Sequence, residues 1–319
     1  MEKLMLGKHG AKRMGGKLVR FFRLLFLLMI CFVVLYPLMY LISISIRELR
    51  DYYDPSIVWL PKHYSLDHYA YVWNALHYPK TLGSTLLLAG VSAVLNVAVC
   101  SVVGYGFARF RFRGKALIFG MVIFTIIVPD QAVIIPLYIQ YYRFDFFGLG
   151  QLARLWGADA ATVNLLNSNW SFYLSAVFGQ GIRSGLFIYI FRQFFRGMPK
   201  ELEDAAAIDG CGVFSVFTRI MLHNASAAYI SCMLFSGVWY WNDYFRVNFF
   251  FNGAKTLTQS LSSLQSLLRS SDMDLLRDPY LGLGQTKAAC VLVLLPLLIM
   301  YIFLQRLFTE SIDKTGIVG

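Results

Sequence analysis

Six stretches of this chain, near residues 22–46, 84–108, 116–138, 171–191, 225–249 and 284–305, are apolar over lengths that few soluble folds can bury. About 20 apolar residues in a helix cross the hydrocarbon layer of a bilayer. Inside that layer no water satisfies the backbone, so a spanning segment must be a helix or part of a closed barrel. The runs show no strict alternation of apolar and polar residues, which favours helix. Composition points the same way: 57% of residues are hydrophobic, mean hydropathy is +0.56, and only 15% are charged, against about 25% in soluble domains. The expected fold class is all-α integral membrane, with six transmembrane helices. The first run is too long for a signal-peptide core and no small-residue cleavage site follows it, so it is expected to stay as an anchor. Five cysteines stand singly, without the paired spacing of a zinc site or redox couple.

Charge orients the spans, because short cytoplasmic loops collect Lys and Arg. The N-terminus, the 109–115 turn, the 192–223 segment and the tail together carry 17 Lys and Arg against 7 acids. The alternate segments, 47–83, 139–170 and 250–283 with the adjoining Asp243 and Arg246, carry 10 against 10. Both termini are therefore expected inside, with residues 1–21 a basic cytoplasmic N-terminus and 22–319 one permeating domain. The net charge of +11 follows from this asymmetry and from attraction to anionic lipid, and gives no reason to invoke nucleic acid.

Between the fourth and fifth runs lies "MPKELEDAAAIDGCGVFSVFTRIMLHNA", residues 198–225. Five of its charges, Lys200, Glu201, Glu203, Asp204 and Asp209, would each cost roughly 2.5–3.5 kcal/mol at a bilayer centre, so it must lie outside. It carries helix signals in order. Pro199 suits a first helical position, the acids that follow favour the positive end of the helix dipole, and three alanines are the best helix formers. Gly210-Cys211-Gly212 then permits a turn, and Val213, Phe214, Val216, Phe217, Ile220 and Met221 recur at helical spacing. A cytoplasmic helix-turn-helix over 197–223 is expected. Such a segment docks into a partner's groove, or lies on the membrane surface or beneath its own bundle.

The spacing Asp204-Ala205-Ala206, three residues, Gly210, nine residues, Ile220, one residue, Leu222 resembles the "EAA" coupling loop of ABC importer permeases. Its setting, "FRQFFRGMPKELEDAAAIDG", is similar to the maltose-type carbohydrate permeases. "YGFARFRFRGKA", "VPDQAVIIPLYIQ", "WNDYF" and the C-terminal "LQRLFTESIDKTGIVG" follow in that family's order, so the resemblance covers roughly residues 20–319. Asp204 replaces the family's glutamate, and His223 replaces the proline that closes the motif, where His223 with Asn224 is expected to cap the next helix. Residues near 150–168 and 268–280 resemble surface insertions in outer loops. The resemblance implies a bacterial inner-membrane permease subunit for a sugar or oligosaccharide. It implies as partners a second permease chain, two ATPase subunits and an extracellular solute-binding protein. It also implies that Glu203, Asp204, Ala205, Ala206, Asp209, Gly210, Ile220 and Leu222 form the ATPase-coupling surface.

The sequence has no G-x-x-x-x-G-K-[ST] stretch, so this chain is not expected to hydrolyse ATP. No enzymatic activity, cofactor or metal is expected: the histidines fall outside the spans and show no H-E-x-x-H arrangement. An alternative is an importer of the same architecture for a non-sugar solute. Another is an ion-coupled carrier, for which Asp130, Arg183 and Lys287 would be intramembrane relays, although three unpaired charges make a poor one. Aromatic faces stack on sugar rings and amides satisfy hydroxyls. Asn96, Gln180, Trp239, Trp241, Asn242 and Tyr244 are accordingly the expected substrate pathway, with interfacial anchoring as the plain alternative for the aromatic members.

Overall fold

The computed structural model describes residues 2–146, 148, 162–253, 255–271 and 278–316. The expected insertions of the outer loops fall mostly on 149–161 and 272–277, outside the described residues. Described segments are helical, with two isolated antiparallel bridges, Arg47 with Tyr64 and Phe144 with Val163. In chain order the helices are α1 (Glu2–Ser45), α2 (Asp67–Ala75), α3 (Tyr78–Arg109), α4 (Lys115–Ile127), α5 (Asp130–Tyr142), α6 (Trp170–Val177), α7 (Ser184–Gly197), α8 (Glu201–Ile208) and α9 (Val213–Val216). A π-helical turn, Phe217–Met221, leads to α10 (Leu222–Asn224), α11 (Ser226–Trp241), α12 (Phe245–Phe250), α13 (Leu257–Ser271) and α14 (Pro279–Gly316).

Three of the expected spans are unbroken apolar helices: Val19–Ser45, Tyr78–Arg109 and Tyr280–Phe303. The other three are interrupted. α4 and α5 meet at 106°, because Pro129 forces Val128 before it into extended backbone (φ −66°, ψ 124°). The fourth run breaks between α6 and α7, where Gly179 and Arg183 both take left-handed backbone. The fifth breaks at Asn242–Tyr244, between α11 and α12. Apolar length is thus present at all six places, but helix continuity is not.

The chain divides into two compact units. One comprises residues 1–74 and 265–292, the other 75–264 and 293–319. In the first, α1 presents Val19–Ile42 outward, with no residue of its most apolar window buried in this chain. Beyond it, residues 46–65 fold back as a small antiparallel loop, with Glu48 N–H donating to His63 O at 3.1 Å and Ser65 N–H to Ile46 O at 3.0 Å.

The second unit is organised around α3, which packs on α6, α7 and α11. Gly104 makes the α3–α7 contact possible, since a Cβ there would sit 2.6 Å from Phe191 Cβ and 3.1 Å from the Arg192 amide nitrogen. α7 answers with Phe187, Ile188, Phe191 and Phe195, spaced one, three and four residues apart on one face of the helix, all buried. At roughly 2–3 kcal/mol for each fully buried large apolar side chain, this stripe anchors the α7 end from which the 197–223 segment departs.

Candidate functional site

The 197–223 segment has a defined shape. Met198 leaves α7 in extended backbone, and α8 begins with Glu203 and Asp204 amides donating to Lys200 O. Gly210 ends α8 with φ +79°. Its N–H donates to Ala207 O at 3.1 Å while Cys211 N–H reaches back to Ala206 O at 2.9 Å. This paired closure of the last carbonyls needs a left-handed residue between helix and turn, which glycine supplies without strain. The expected helix-turn-helix is therefore present, with its second arm passing through the π turn into α10.

The segment is bolted to α3. Glu203 Oε1 accepts from Tyr105 Oη at 3.0 Å and lies 3.2 Å from Arg109 Nε, while Arg109 Nη2 donates to Met198 O at 2.9 Å. Arg109 is largely buried, so its charge depends on these partners. Beside them Ala206, 5% exposed, packs in a cluster with Tyr105, Phe195 and Phe217. Those rings meet one another at centroid distances of 5.0, 5.5 and 6.2 Å.

The eight residues expected at the coupling surface consequently divide. Asp204, Ala205, Asp209, Gly210 and Leu222 are exposed. Ile220 is half-buried against the cluster, Ala206 is buried, and Glu203 is turned toward α3. Sequence reading missed Ile208, which is 86% exposed, and placed Phe214 only within a helical stripe, whereas it stands out at 77%. With Val213, also exposed, they leave three apolar side chains uncovered on the two arms flanking the Gly210 turn. Ile208 signals itself only by falling on the side of α8 opposite the inward Ala206. The expected helix cap at His223 and Asn224 is not formed: Asn224 Nδ2 donates backward to Ile220 O at 2.9 Å, and α11 starts without a side-chain cap.

The three helix breaks converge elsewhere in the same unit. Asp130 at the start of α5 lies 3.7 Å from Arg183 Nε and 3.9 Å from Arg246 Nη2. Arg246, 4% exposed, also donates through Nη1 to Gln180 O at 3.2 Å, and its backbone N–H donates to Asp243 Oδ1 at 3.2 Å. Arg183 sits at φ +57°, a conformation that costs an L-residue roughly 1–2 kcal/mol, with its guanidinium 6.0 Å from the Trp239 ring centroid. Around them opens a cavity of about 670 Å³, lined among others by Gln140, Gln180, Arg183, Trp239 and Arg246. A smaller one of about 210 Å³ adjoins it, lined by Asp130, Trp239, Asn242 and Tyr244.

Of the expected pathway residues, Gln180, Trp239, Asn242 and Tyr244 thus line one cavity or the other. Asn96 and Trp241 do not. Asn96 is fully buried and holds the α6–α7 break, donating to Ile182 O at 3.0 Å and accepting from Ser184 Oγ at 2.7 Å. Trp241 is buried, its carbonyl accepting from Thr258 Oγ1. The picture of Asp130 and Arg183 as solitary charges is corrected, since they face each other. Arg246, counted as an outer-loop cation by sequence, is their buried third partner.

Residues 100–314 match the pattern described as "Binding-protein-dependent transport system inner membrane component". The chain belongs to that family. It is a multi-pass ABC transporter permease and not an enzyme. Similar proteins include the arabinooligosaccharides transport system permease protein AraQ of Halalkalibacterium halodurans, 26% identical over 91% of this chain and 93% of that protein. The maltodextrin transport system permease protein MdxG of Bacillus subtilis is 27% identical over 92% and 95%. In fold, the permease is similar to a chain of a bacterial ABC transporter involved in the import of the acidic polysaccharide alginate. The TM-score is 0.68 at 17% identity, covering 92% of this chain and 97% of that one. Every residue of the 197–223 segment and every cavity-lining residue named above falls within residues 100–314.

Proposed function

We propose that this permease is one of two membrane subunits of a bacterial ABC importer and moves a sugar or oligosaccharide delivered by an extracellular solute-binding protein. Separate ATPase subunits drive it by gripping residues 197–223. The chain crosses the membrane six times with both termini inside, the broken runs included, as its charge asymmetry favours. The observation that carries this reading is the α8–Gly210 turn, which is tied by Glu203 to Tyr105 and Arg109 yet offers Ile208, Phe214 and Asp209 outward. A loop fastened in this way transmits displacement to α3 and α7 as a rigid body, where a flexible linker would absorb it.

The sugar assignment draws on the named relatives and on the cavity's chemistry. Trp239 offers a ring face, while Gln180 and Arg183 offer amide and guanidinium groups, a set suited to the faces and hydroxyls of a pyranose. The ion-coupled alternative loses support because Asp130 and Arg183 satisfy each other.

The test is Ile208→Asp in the assembled importer. The residue is 86% exposed, so folding should change by less than about 0.5 kcal/mol. ATPase co-purification and ATP-dependent sugar uptake should both fall. Full recovery of the complex with normal uptake would remove this face from the docking surface.

A further inference from the structure

We propose that residues 55–61, "PSIVWLP", form a wedge that inserts into the outer leaflet of the bilayer against α1, with lipid acyl chains as the surface it recognises. The proposal rests on the reading of α1 as a membrane crossing with its Ser45 end outward.

The first observation is depth. Trp59 does not project away from α1 but lies against it, its ring 5.0 Å from Tyr36 and 6.0 Å from Phe32, centroid to centroid. Tyr36 and Phe32 precede Ser45 by nine and thirteen residues. At a rise of about 1.5 Å per residue, the indole is level with positions roughly 13–20 Å along the helix from that end. This is the part of α1 whose neighbours are exposed apolar side chains: Val33 at 69%, Val34 at 64%, Met39 at 50%. A loop in water has no reason to run down such a helix.

The second observation is what the backbone does there. Three successive carbonyls in this irregular stretch each receive a side-chain donor: Ile57 O from Arg47 Nη1 at 3.2 Å, Val58 O from Arg47 Nη2 at 2.8 Å, and Trp59 O from Ser43 Oγ. At membrane depth each must find a partner within the protein, and Arg47, 7% exposed, is buried to provide two of them.

The third observation is how polarity is divided. Lys62 Nζ gathers Asp54 Oδ2 at 2.8 Å and Ser56 Oγ at 2.9 Å on the exposed shoulder of the loop. Val58, Trp59 and Leu60 stand at 60%, 43% and 76% exposure at its tip. The shoulder suits the headgroup layer and the tip suits the acyl layer.

Nitroxide labels at Leu60→Cys, Val33→Cys and Ser56→Cys would test this in the assembled importer reconstituted in phosphatidylcholine–phosphatidylglycerol vesicles. Cys31, Cys211 and Cys290 would be changed to serine, and the fully buried Cys100 and Cys232 left in place. Leu60 and Ser56 are exposed, so their replacement leaves folding intact. Leu60 should relax with oxygen several-fold more strongly than with a water-soluble nickel chelate, and Ser56 should show the reverse. Nickel access at Leu60, with Val33 shielded, would overturn the wedge while leaving α1 in the membrane. Nickel access at both would overturn the membrane reading itself. An immobile label at Leu60 reached by neither reagent would assign the tip to a partner protein and also overturn the proposal.

Discussion

Glu203 shows how one side chain can belong to the EAA-like motif and yet face away from the surface proposed for docking. Its carboxylate is spent on Tyr105 and Arg109, so its contribution is to fix the loop rather than to touch the proposed ATPase. Glu203→Ala would strip a charged hydrogen-bond acceptor from a mostly buried arginine, at a cost of about 2 kcal/mol. The expected outcome is a lower melting temperature in detergent, with ATP hydrolysis retained by the complex but yielding less uptake per ATP. A second residue-scale prediction concerns the outer loop. Burial would raise the pKa of Asp51, but the N–H groups of His63 and Lys62 and the His63 ring outweigh it and hold the carboxyl below its ordinary 3.8. A depressed folded-state pKa means the stabilisation is fully present above the unfolded value and drains away as pH falls through the folded one. Melting temperature should therefore decline below about pH 4 in the wild type, and the decline should be shallower in Asp51→Asn.

At the scale of elements, what was legible in the sequence was apolar length and local helix chemistry. The unbroken α3 and the α8–Gly210 closure both follow from them. What hydropathy cannot register is continuity, because a run remains apolar on average through Pro129 or Gly179, although one fixes an extended neighbour and the other a left-handed turn. The cavity was half legible for the same reason: Gln180 and Trp239 were picked by residue type, but Arg246 was assigned to a loop because its partners lie 66 and 116 positions away, at Gln180 and Asp130. Asn96, chosen as a polar residue in an apolar helix, turned out to satisfy a broken backbone. The direction of α8 gives an element-scale prediction. Ala206→Leu would overfill the aromatic cradle and destabilise by about 1–3 kcal/mol, whereas Ala205→Leu, one position along and exposed, would leave melting unchanged. Both should lower ATPase co-purification, the first through displacement of the loop and the second at the contact itself. A melting loss for Ala205→Leu equal to that of Ala206→Leu would contradict the assigned orientation of α8.

For the molecule as a whole, the question is where the energy for uphill movement enters. Four ionisable groups meet at the helix breaks, Asp130, Arg183, Asp243 and Arg246, and the Asp130 carboxylate, between two guanidiniums 3.7 and 3.9 Å away, is already compensated. Binding or releasing a proton or sodium ion there would have to disrupt those pairs. The half-exposed Arg183–Asp130 pair is weak, about 0–1 kcal/mol, which suits a contact that opens and closes with the breaks but not a store of driving force. Nor does the sequence supply a phosphate-binding loop. The route proposed here is mechanical, through the tied α8–Gly210 peg. The chain reconstituted alone should therefore dissipate a sugar gradient at most and never build one, whatever proton or sodium gradient is imposed. Addition of the second permease, the ATPases and loaded binding protein should make accumulation follow ATP and survive ionophores. Accumulation by the isolated chain, or its collapse with an ion gradient in the full complex while ATP persists, would place the engine inside this polypeptide after all.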